Sequence, residues 1–433
     1  MHALLGIEWC RIGRHDRAVP LLRVVAGTGP SQPPVIQSLA DALLRLRQSK
    51  EALEFLQAGL ARHPGHPGLL LIKARALRQG KDPEQAATVA RQVIDSPIGS
   101  PDCKAQAGHE LGHALDAMDR YREAFAAFQA AKQLLRPEAE RFLPLWQSRQ
   151  TTLGRIECQP KREDYLRWKT ESANASISAG QLAFLTGLPR SGTTLLERVL
   201  DAHPQVISAS ETTVFNNMWN RMLRALSGHR ALNEALDAIT PVQWHEGRTI
   251  YCNDIEQALE QSPTDRMVLD KNPSALPNIP VILRFFPETK LLIALRDPRA
   301  VAWSCFAQYL PINGETAAFN RFDTLGTHLA ATYRFWLHAR SELPEGTWRE
   351  CRYETLVSEF EPEARRTLDF LGLSWDPAVA NHHQNPAPVR SPTYAEATQP
   401  IYSRAVENWR HYEEFMSPAL PAIESVMGEL GYA

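Results

Sequence analysis

The 433-residue sequence predicts an all-helical N-terminal repeat array followed by a three-layer α/β domain with a mostly parallel sheet. Two observations carry this prediction. The first third of the chain repeats a helix–turn–helix pattern with a period of 34 residues. From residue 179 onwards, short apolar runs alternate with helical patterns, which is typical of parallel strands joined by helices. The predicted boundaries are 1–137 for the array, 138–178 for a helical connector and 179–433 for the α/β domain.

The composition is that of an ordinary globular protein. Hydrophobic residues make up 44% of the chain and charged residues 22%, so each part can bury a core. The net charge of −2 gives no reason to expect nucleic acid or an anionic membrane as a partner. Apolar runs fall short of the roughly 18 residues of a membrane helix. The six cysteines are scattered, so we expect free thiols and a cytoplasmic protein.

Alanines at equivalent positions mark four copies of the repeat. They are Ala18, Ala52, Ala86 and Ala124, spaced by 34, 34 and 38 residues. This period is typical of tetratricopeptide (TPR) repeats, whose small residues allow paired helices to approach closely. A proline is expected to end each copy, Pro137 in the fourth, because proline cannot continue a helix. Such an array binds a peptide or protein in its groove, or only supports the second domain, or forms a homodimer.

One motif inside the array points to different chemistry. His109-Glu-Leu-Gly-His113 matches the H-E-x-x-H helix of zinc proteases, in which both histidines lie on one face. The repeat register already accounts for Leu111 and Gly112, and no clear third zinc ligand follows. We therefore expect no metal, and a zinc peptidase remains an alternative.

A strand–loop–helix stretch is the most informative part of the sequence. Leu182–Leu185 predicts a buried strand, Gly187 and Gly192 bracket a tight loop, and apolar residues at helical spacing follow. A loop at a helix N-terminus is an anion site because its backbone N–H groups and the helix dipole converge there. The loop is P-loop-like but has Thr193 in place of the P-loop lysine, and its cation is Arg190. This disfavours a kinase and suits an anion without a γ-phosphate.

Further short strands are predicted at Met267–Leu269, Lys290–Leu295 and Thr347–Arg352. Ligands of parallel sheets bind at the carboxyl ends of the strands, so the residues there are informative. Arg296 ends one strand, and Ser304 lies on the following helix, where both can face one phosphate. Lys271 follows another strand. Glu211 lies at a predicted turn before a helix, where its residue type alone indicates a helix N-terminal acid.

The loop Pro189-Arg-Ser-Gly-Thr-Thr194, together with Arg296-Asp-Pro-Arg299 and Ser304, resembles the PAPS-dependent sulfotransferases. The resemblance covers roughly residues 180–412 and is nearest to the tyrosylprotein sulfotransferase branch and its TPR-fused bacterial relatives. It implies 3′-phosphoadenosine 5′-phosphosulfate (PAPS) as the sulfuryl donor, 3′,5′-ADP as product, no metal, and an acceptor hydroxyl. A protein tyrosine, a small phenol or alcohol and a glycan all present such a hydroxyl.

The resemblance also implies roles for individual residues. Glu211 is the catalytic base, and Lys271 and Arg190 are the other catalytic residues. The cofactor-binding residues are Arg190, Ser191, Gly192, Thr193, Thr194, Arg296, Ser304, Tyr353 and Thr393. Thr393 stands where the family has serine, and Asn408 where it has a cation. The lost charge leaves open the alternative of a catalytically inactive, nucleotide-binding TPR scaffold.

Overall fold

The computed structural model describes residues 2–27, 32–173, 181–225, 231–259, 263, 265–385, 401 and 404–432. The N-terminal part is helical, as predicted, and helices adjacent in sequence pack against each other. Its helices are His2–Arg11, His15–Gly27, Pro33–Arg45, Ser49–Arg62, Pro67–Gln79, Pro83–Ile94, Pro101–Ala117 and Tyr121–Gly154. The repeat alanines Ala18, Ala52, Ala86 and Ala124 are fully buried. The assignment of these helices to TPR repeats stays a prediction.

Close helix approach explains the small residues of the fourth copy. A Cβ atom added to Gly112 would lie 2.5 Å from the ring of Phe128, and one added to Gly108 would lie 2.9 Å from the Cβ of Ala131. Both contacts are shorter than side-chain carbons tolerate. Glycine at these positions therefore lets helix Tyr121–Gly154 lie directly against helix Pro101–Ala117.

The expectation that Pro137 ends the last repeat is wrong. Helix Tyr121–Gly154 continues through Pro137, so the predicted boundary falls inside a helix. Contacts with the α/β domain hold this helix on both sides of the proline: the carbonyl of Lys132 accepts a hydrogen bond of 2.9 Å from Asn320 Nδ2, and Trp146 Nε1 donates one of 3.3 Å to His328 Nδ1. Tertiary contacts thus outweigh the hydrogen bond that proline removes. The connector continues through a 3-10 turn at Ile156–Cys158 and helix Arg162–Ala173.

The second part contains a five-stranded sheet in which every pair of neighbouring strands is parallel. The strands are β1 (Leu182–Gly187), β2 (Val206–Ser210), β3 (Met267–Lys271), β4 (Lys290–Leu295) and β5 (Trp348–Arg352), in the spatial order β2-β3-β1-β4-β5. Alternate residues of β1 belong to separate hydrophobic clusters, Leu182 and Phe184 to one and Ala183 and Leu185 to the other. Helices therefore cover both faces, which confirms the α/β prediction. Strand β2 was missed, because residues 208–213 were read as a turn before a helix.

The helices of this part are Thr193–Asp201, Val214–Ala225, Leu232–Asp237, Pro241–Leu259, Ile279–Phe285, Pro298–Ala307, Phe322–Glu342, Tyr353–Ser358, Phe360–Leu371, Arg404–Glu407 and Leu420–Leu430. Shorter 3-10 helices lie at Leu276–Asn278, Thr316–Asn320, Pro377–Gln384 and Asn408–Phe415. Among the helices of the described ranges, none is long and apolar enough to span a bilayer. All six cysteines are free thiols.

The array and the α/β domain share a hydrophobic interface. The ring of Phe125 stacks on Phe415 at 4.0 Å, and Phe128 meets Trp303 edge-on at 5.6 Å. Aromatic pairs at such distances contribute about 0.5–1.5 kcal/mol each beyond the area that they bury. The edge-on contact of Phe128 with Trp303 packs helix Tyr121–Gly154 against helix Pro298–Ala307, which carries part of the site described below.

Candidate active site

The predicted anion loop joins β1 to helix Thr193–Asp201. Gly192 caps this helix with a φ of +99°, a left-handed conformation that favours glycine. A Cβ atom at Gly192 would also lie 2.7 Å from Cδ2 of Tyr353, so the tyrosine ring packs directly on the loop. The structure confirms the strand–loop–helix prediction, and it places the helix N-terminus with its N–H groups beside Tyr353.

Two site residues other than glycine adopt positive φ angles, Arg190 at 71° and Glu211 at 49°. Such conformations cost of order 1–3 kcal/mol and persist only where several contacts hold them. The carbonyl of Arg190 accepts a hydrogen bond of 3.2 Å from Arg296 Nη1. The Nε of Arg190 donates a hydrogen bond of 2.9 Å to Ser304 Oγ. The backbone N–H of Glu211 donates to the carbonyl of Lys271 at 2.8 Å. The fold thus imposes both orientations.

Three elements bring predicted cofactor-binding residues together. Arg296 follows β4, Ser304 lies on helix Pro298–Ala307, and Tyr353 begins the helix after β5. The guanidinium carbon of Arg296 lies 4.8 Å from the centre of the Tyr353 ring, within range of a cation–π contact. Because Arg190 contacts both Arg296 and Ser304, these four predicted residues form one cluster at the carboxyl end of the sheet.

Glu211 and Lys271 meet because β2 and β3 are parallel neighbours, with Ser210 paired to Lys271 in the register. The side chain of Lys271 is 0% exposed, and its Nζ lies 2.6 Å from Glu211 Oε1 and 3.1 Å from Glu197 Oε2. Burial alone would lower the pKa of Lys271, but the carboxylates of Glu197 and then Glu211 outweigh burial and raise that pKa. Lys271 is therefore a charged ammonium shared by two carboxylates.

Asp270 adds a second buried acid behind this cluster. Its carboxylate accepts a hydrogen bond of 2.9 Å from the hydroxyl of Tyr251, and both side chains are buried. Burial raises the pKa of Asp270 to about 7, opposed by the tyrosine hydrogen bond and reinforced by the charge of Glu197. This carboxyl group is therefore part protonated near neutral pH.

The site faces a cavity of about 790 Å³. The sequence-predicted residues that line it are Arg190, Gly192, Thr193, Thr194, Glu211, Arg296, Ser304 and Tyr353. Lys271 and Ser191 are buried and do not line the cavity, so Lys271 acts on it through the Glu211 carboxylate. Thr393 lies outside the described residues, and its role stays a prediction.

Sequence reasoning missed several residues of this site. Glu197 is 5% exposed, lies on the helix after the loop, and accepts a hydrogen bond of 2.5 Å from Ser208 Oγ. The sequence offered one signal for Glu197, which is a glutamate between two apolar helix positions, Leu196 and Leu200. Arg78, His113 and Asp116 of the array also line the cavity, and nothing in their local sequence pattern indicated it.

The H-E-x-x-H motif has structural contacts instead of a zinc geometry. His109 Nδ1 lies 2.7 Å from the carbonyl of Ala307, and Glu110 forms ion pairs with Arg75 at 2.9 Å and Arg78 at 2.7 Å. Although burial opposes it, the charges of Arg78 and Arg75 lower the pKa of Glu110 to about 2. Within the described ranges no cluster of three His, Cys, Asp or Glu side chains is suited to a metal ion. These contacts account for His109 and Glu110 as packing and ion-pair residues of the array.

Comparisons with known proteins show which families this chain is similar to. Residues 183–377 match the model of the sulfotransferase family. An uncharacterized protein of Aquifex aeolicus is 25% identical over 420 residues, 94% of this chain and 52% of that protein. Protein-tyrosine sulfotransferase A of Caenorhabditis elegans is 27% identical over 214 residues, 46% of this chain and 52% of that enzyme.

The chain thus spans about half the length of both relatives. The sulfotransferase domain of the Synechococcus PCC 7002 olefin synthase is 20% identical and superimposes with a TM-score of 0.40, over 57% of this chain and 94% of that domain. The α/β segment spanning residues 183–377 is therefore similar to the sulfotransferase family.

Proposed function

We propose that this protein transfers the sulfuryl group of PAPS to an acceptor hydroxyl, with Glu211 as general base and a tyrosine of a protein or peptide as acceptor. One observation carries the proposal: a single cavity is lined by an anion loop, by Arg190 and Arg296, and by the carboxylate of Glu211. The family match of residues 183–377 supports sulfuryl transfer. Relatives named protein-tyrosine sulfotransferases support the tyrosine acceptor.

The residues at the loop suit a nucleotide that carries phosphates. The N-terminus of helix Thr193–Asp201 offers N–H groups, Arg190 and Arg296 offer guanidinium groups, and Ser304 offers a hydroxyl. The Tyr353 ring provides an apolar wall beside the loop. The cavity volume of about 790 Å³ lies within the range of small-molecule sites, about 300–1,000 Å³. When bound, PAPS supplies the sulfuryl group and a nucleotide leaving group.

We assign Glu211 as the base that takes the proton of the acceptor hydroxyl. Its carboxylate lines the cavity, where it accepts the proton of a hydroxyl that attacks sulfur; such a role contributes about 10²–10⁴-fold to the rate. Lys271 holds the carboxylate in place through the 2.6 Å contact. When Glu211 becomes neutral on accepting the proton, Lys271 keeps Glu197 as counter-ion, so its buried charge is never left unpaired.

The test is calorimetric titration of the protein with 3′,5′-ADP, 5′-AMP and ATP. We expect 3′,5′-ADP to bind most tightly, without Mg²⁺, and the variant Arg296→Ala to lose affinity for 3′,5′-ADP more than for 5′-AMP. Tighter binding of ATP with Mg²⁺ would contradict the proposal. Transfer of labelled sulfate from PAPS to a tyrosine peptide is the second readout. Binding of 3′,5′-ADP without transfer to peptides or phenols would identify the inactive scaffold instead.

A further inference from the structure

Helices of the N-terminal array reach the cavity of the α/β domain. Arg78, near the end of helix Pro67–Gln79, and His113 and Asp116, on helix Pro101–Ala117, line the same cavity as Arg190 and Arg296. These array residues precede the segment that matches the sulfotransferase family model, residues 183–377. They therefore lie outside the part of the chain that matches the family model.

The array helix Pro101–Ala117 runs beside the helix that carries Ser304. His109 Nδ1 lies 2.7 Å from the carbonyl of Ala307, one turn beyond Ser304, and His113 follows one turn after His109. The hydroxyl of Tyr412 donates a hydrogen bond of 2.5 Å to Asp116, and the Tyr412 ring stacks on Trp303 at 3.6 Å. Helix Pro101–Ala117 therefore lies along the same wall of the cavity as the cluster of Arg190, Arg296, Ser304 and Tyr353.

Arg78 and His113 line the same cavity as Arg190 and Ser304. The pKa of His113 is lowered to about 3. Burial is the largest cause, and the positive charges of Arg78 and Arg190 also contribute. Charges act on a titrating group mainly over short distances. Arg190 itself donates a hydrogen bond of 2.9 Å to Ser304 Oγ. The imidazole of His113 is thus neutral at pH 7 and adds no positive charge to the cavity that Arg78 and Arg190 also line.

A buried carboxylate holds the Arg78 side chain. Arg78 Nε donates to Glu110 Oε2 at 2.7 Å, and Arg75 Nε donates to the other oxygen of Glu110 at 2.9 Å. Arg75 also forms an ion pair of 2.6 Å with Asp41 and does not line the cavity, whereas Arg78 does and its side chain is 24% exposed. The two arginines therefore share one carboxylate, but only Arg78 presents charge to the cavity.

We propose that Arg78 of the helical array binds the donor nucleotide at its 3′-phosphate, so that the array completes the nucleotide site. This inference rests on the proposed function, because it assigns the ligand of the same cavity. Arg78, Arg190 and Arg296 line one cavity, and their positive charges attract a phosphate that binds there. The guanidinium group suits phosphate because it donates two parallel hydrogen bonds.

The experiment is calorimetric titration of the full chain with 3′,5′-ADP and 5′-AMP in the variants Arg78→Gln and Arg75→Gln. Loss of a charge-assisted contact weakens binding about ten- to a hundredfold. We expect this loss for 3′,5′-ADP in Arg78→Gln, with little change for 5′-AMP. Arg75→Gln is the matched control because it removes the other partner of Glu110 without touching the cavity, and it should bind both nucleotides like the native protein.

Several results would overturn the inference. Native affinity for 3′,5′-ADP in Arg78→Gln would do so, and so would an equal loss in Arg75→Gln, which would indicate an effect on array packing. A loss confined to the KM of the acceptor would place Arg78 on the acceptor side instead. If Arg78→Gln does not fold, Arg78→Lys replaces it; a several-fold loss is expected because lysine lacks the planar fork, and native affinity contradicts the inference. If the native protein itself does not bind 3′,5′-ADP, the proposed function fails first.

Discussion

Replacing Lys271 by methionine should destabilise the α/β domain strongly, because it removes the only cation within salt-bridge distance of the buried Glu197 among the residues that the structure describes. Lys271 is 0% exposed and Glu197 is 5% exposed, so neither charge can turn to water. The hydroxyl of Ser208 remains a hydrogen-bond donor to Glu197, but it carries no charge. Glu211 differs, since its side chain is 34% exposed and can be hydrated after the lysine is lost.

The burial of Lys271 and Glu197 sets the expected loss of stability. Breaking a buried ion pair by removing one partner costs about 3–5 kcal/mol, because the remaining charge has no counter-ion. In a domain of this size, each kcal/mol lowers the Tm by about 2–4 °C, so Lys271→Met should lower it by about 6–20 °C. The double variant Glu197→Gln/Lys271→Met leaves no buried charge at the pair and should recover most of that loss.

The assay is thermal unfolding at pH 7, followed by circular dichroism, for the two single variants and the double variant. Lys290→Met serves as control because Lys290 lies on strand β4 of the same sheet, separated from β3 by β1, with its amine at the surface; a loss of about 1 kcal/mol or less is expected. A loss for Lys271→Met no larger than that of the control would refute the burial argument. An equal loss in the single and double variants would refute the coupling between Lys271 and Glu197.

Three further predictions concern the same site. Glu211→Gln should keep native affinity for 3′,5′-ADP while turnover falls about 10²–10⁴-fold; full activity would exclude Glu211 as the base. Gly192→Ala should weaken 3′,5′-ADP binding about tenfold, because a left-handed φ costs a residue other than glycine about 1–2 kcal/mol and the new methyl group displaces Tyr353; unchanged titrations would contradict this. Asp270→Asn should gain stability relative to the native protein as pH rises from about 4 to above 7, measured by urea unfolding. Because the pKa of Asp270 is raised, the folded native protein keeps a proton that the unfolded chain has released. The native protein therefore loses stability as Asp270 ionises, whereas the asparagine variant does not. A difference in unfolding free energy between the two proteins that stays constant with pH would refute this prediction.

Local patterns were sufficient for the anion loop and for the charged strand ends. The loop is encoded by an apolar strand, by glycines and by helical spacing, all within one stretch of chain, and the structure places Arg190 and Gly192 there as predicted. Arg296 and Ser304 are separated by only eight residues, so their common orientation follows from one strand and one helix. These predictions succeeded because short-range geometry determines them.

Other predictions failed where long-range contacts decide. Pro137 reads as a helix end, yet packing on the α/β domain carries the helix through it. Residues 208–213 read as a turn, and only pairing with β3 shows that residues 206–210 form a strand, which aims Glu211 at Lys271. Local helix and strand propensities contribute less free energy than the contacts of a tertiary interface. They therefore could not predict either result.

The sequence by itself determined the two-part organisation, the anion loop with its cation, and the charged residues at the carboxyl ends of the strands. Only the tertiary structure decided that Lys271 is shared between Glu211 and Glu197, that Glu110 pairs with Arg75 and Arg78, and that Arg78 and His113 enter the cavity. The physical reason is that a side chain's charge partners depend on which distant segments pack beside it. That packing is set by the buried faces of whole helices and sheets, and no short sequence pattern records it.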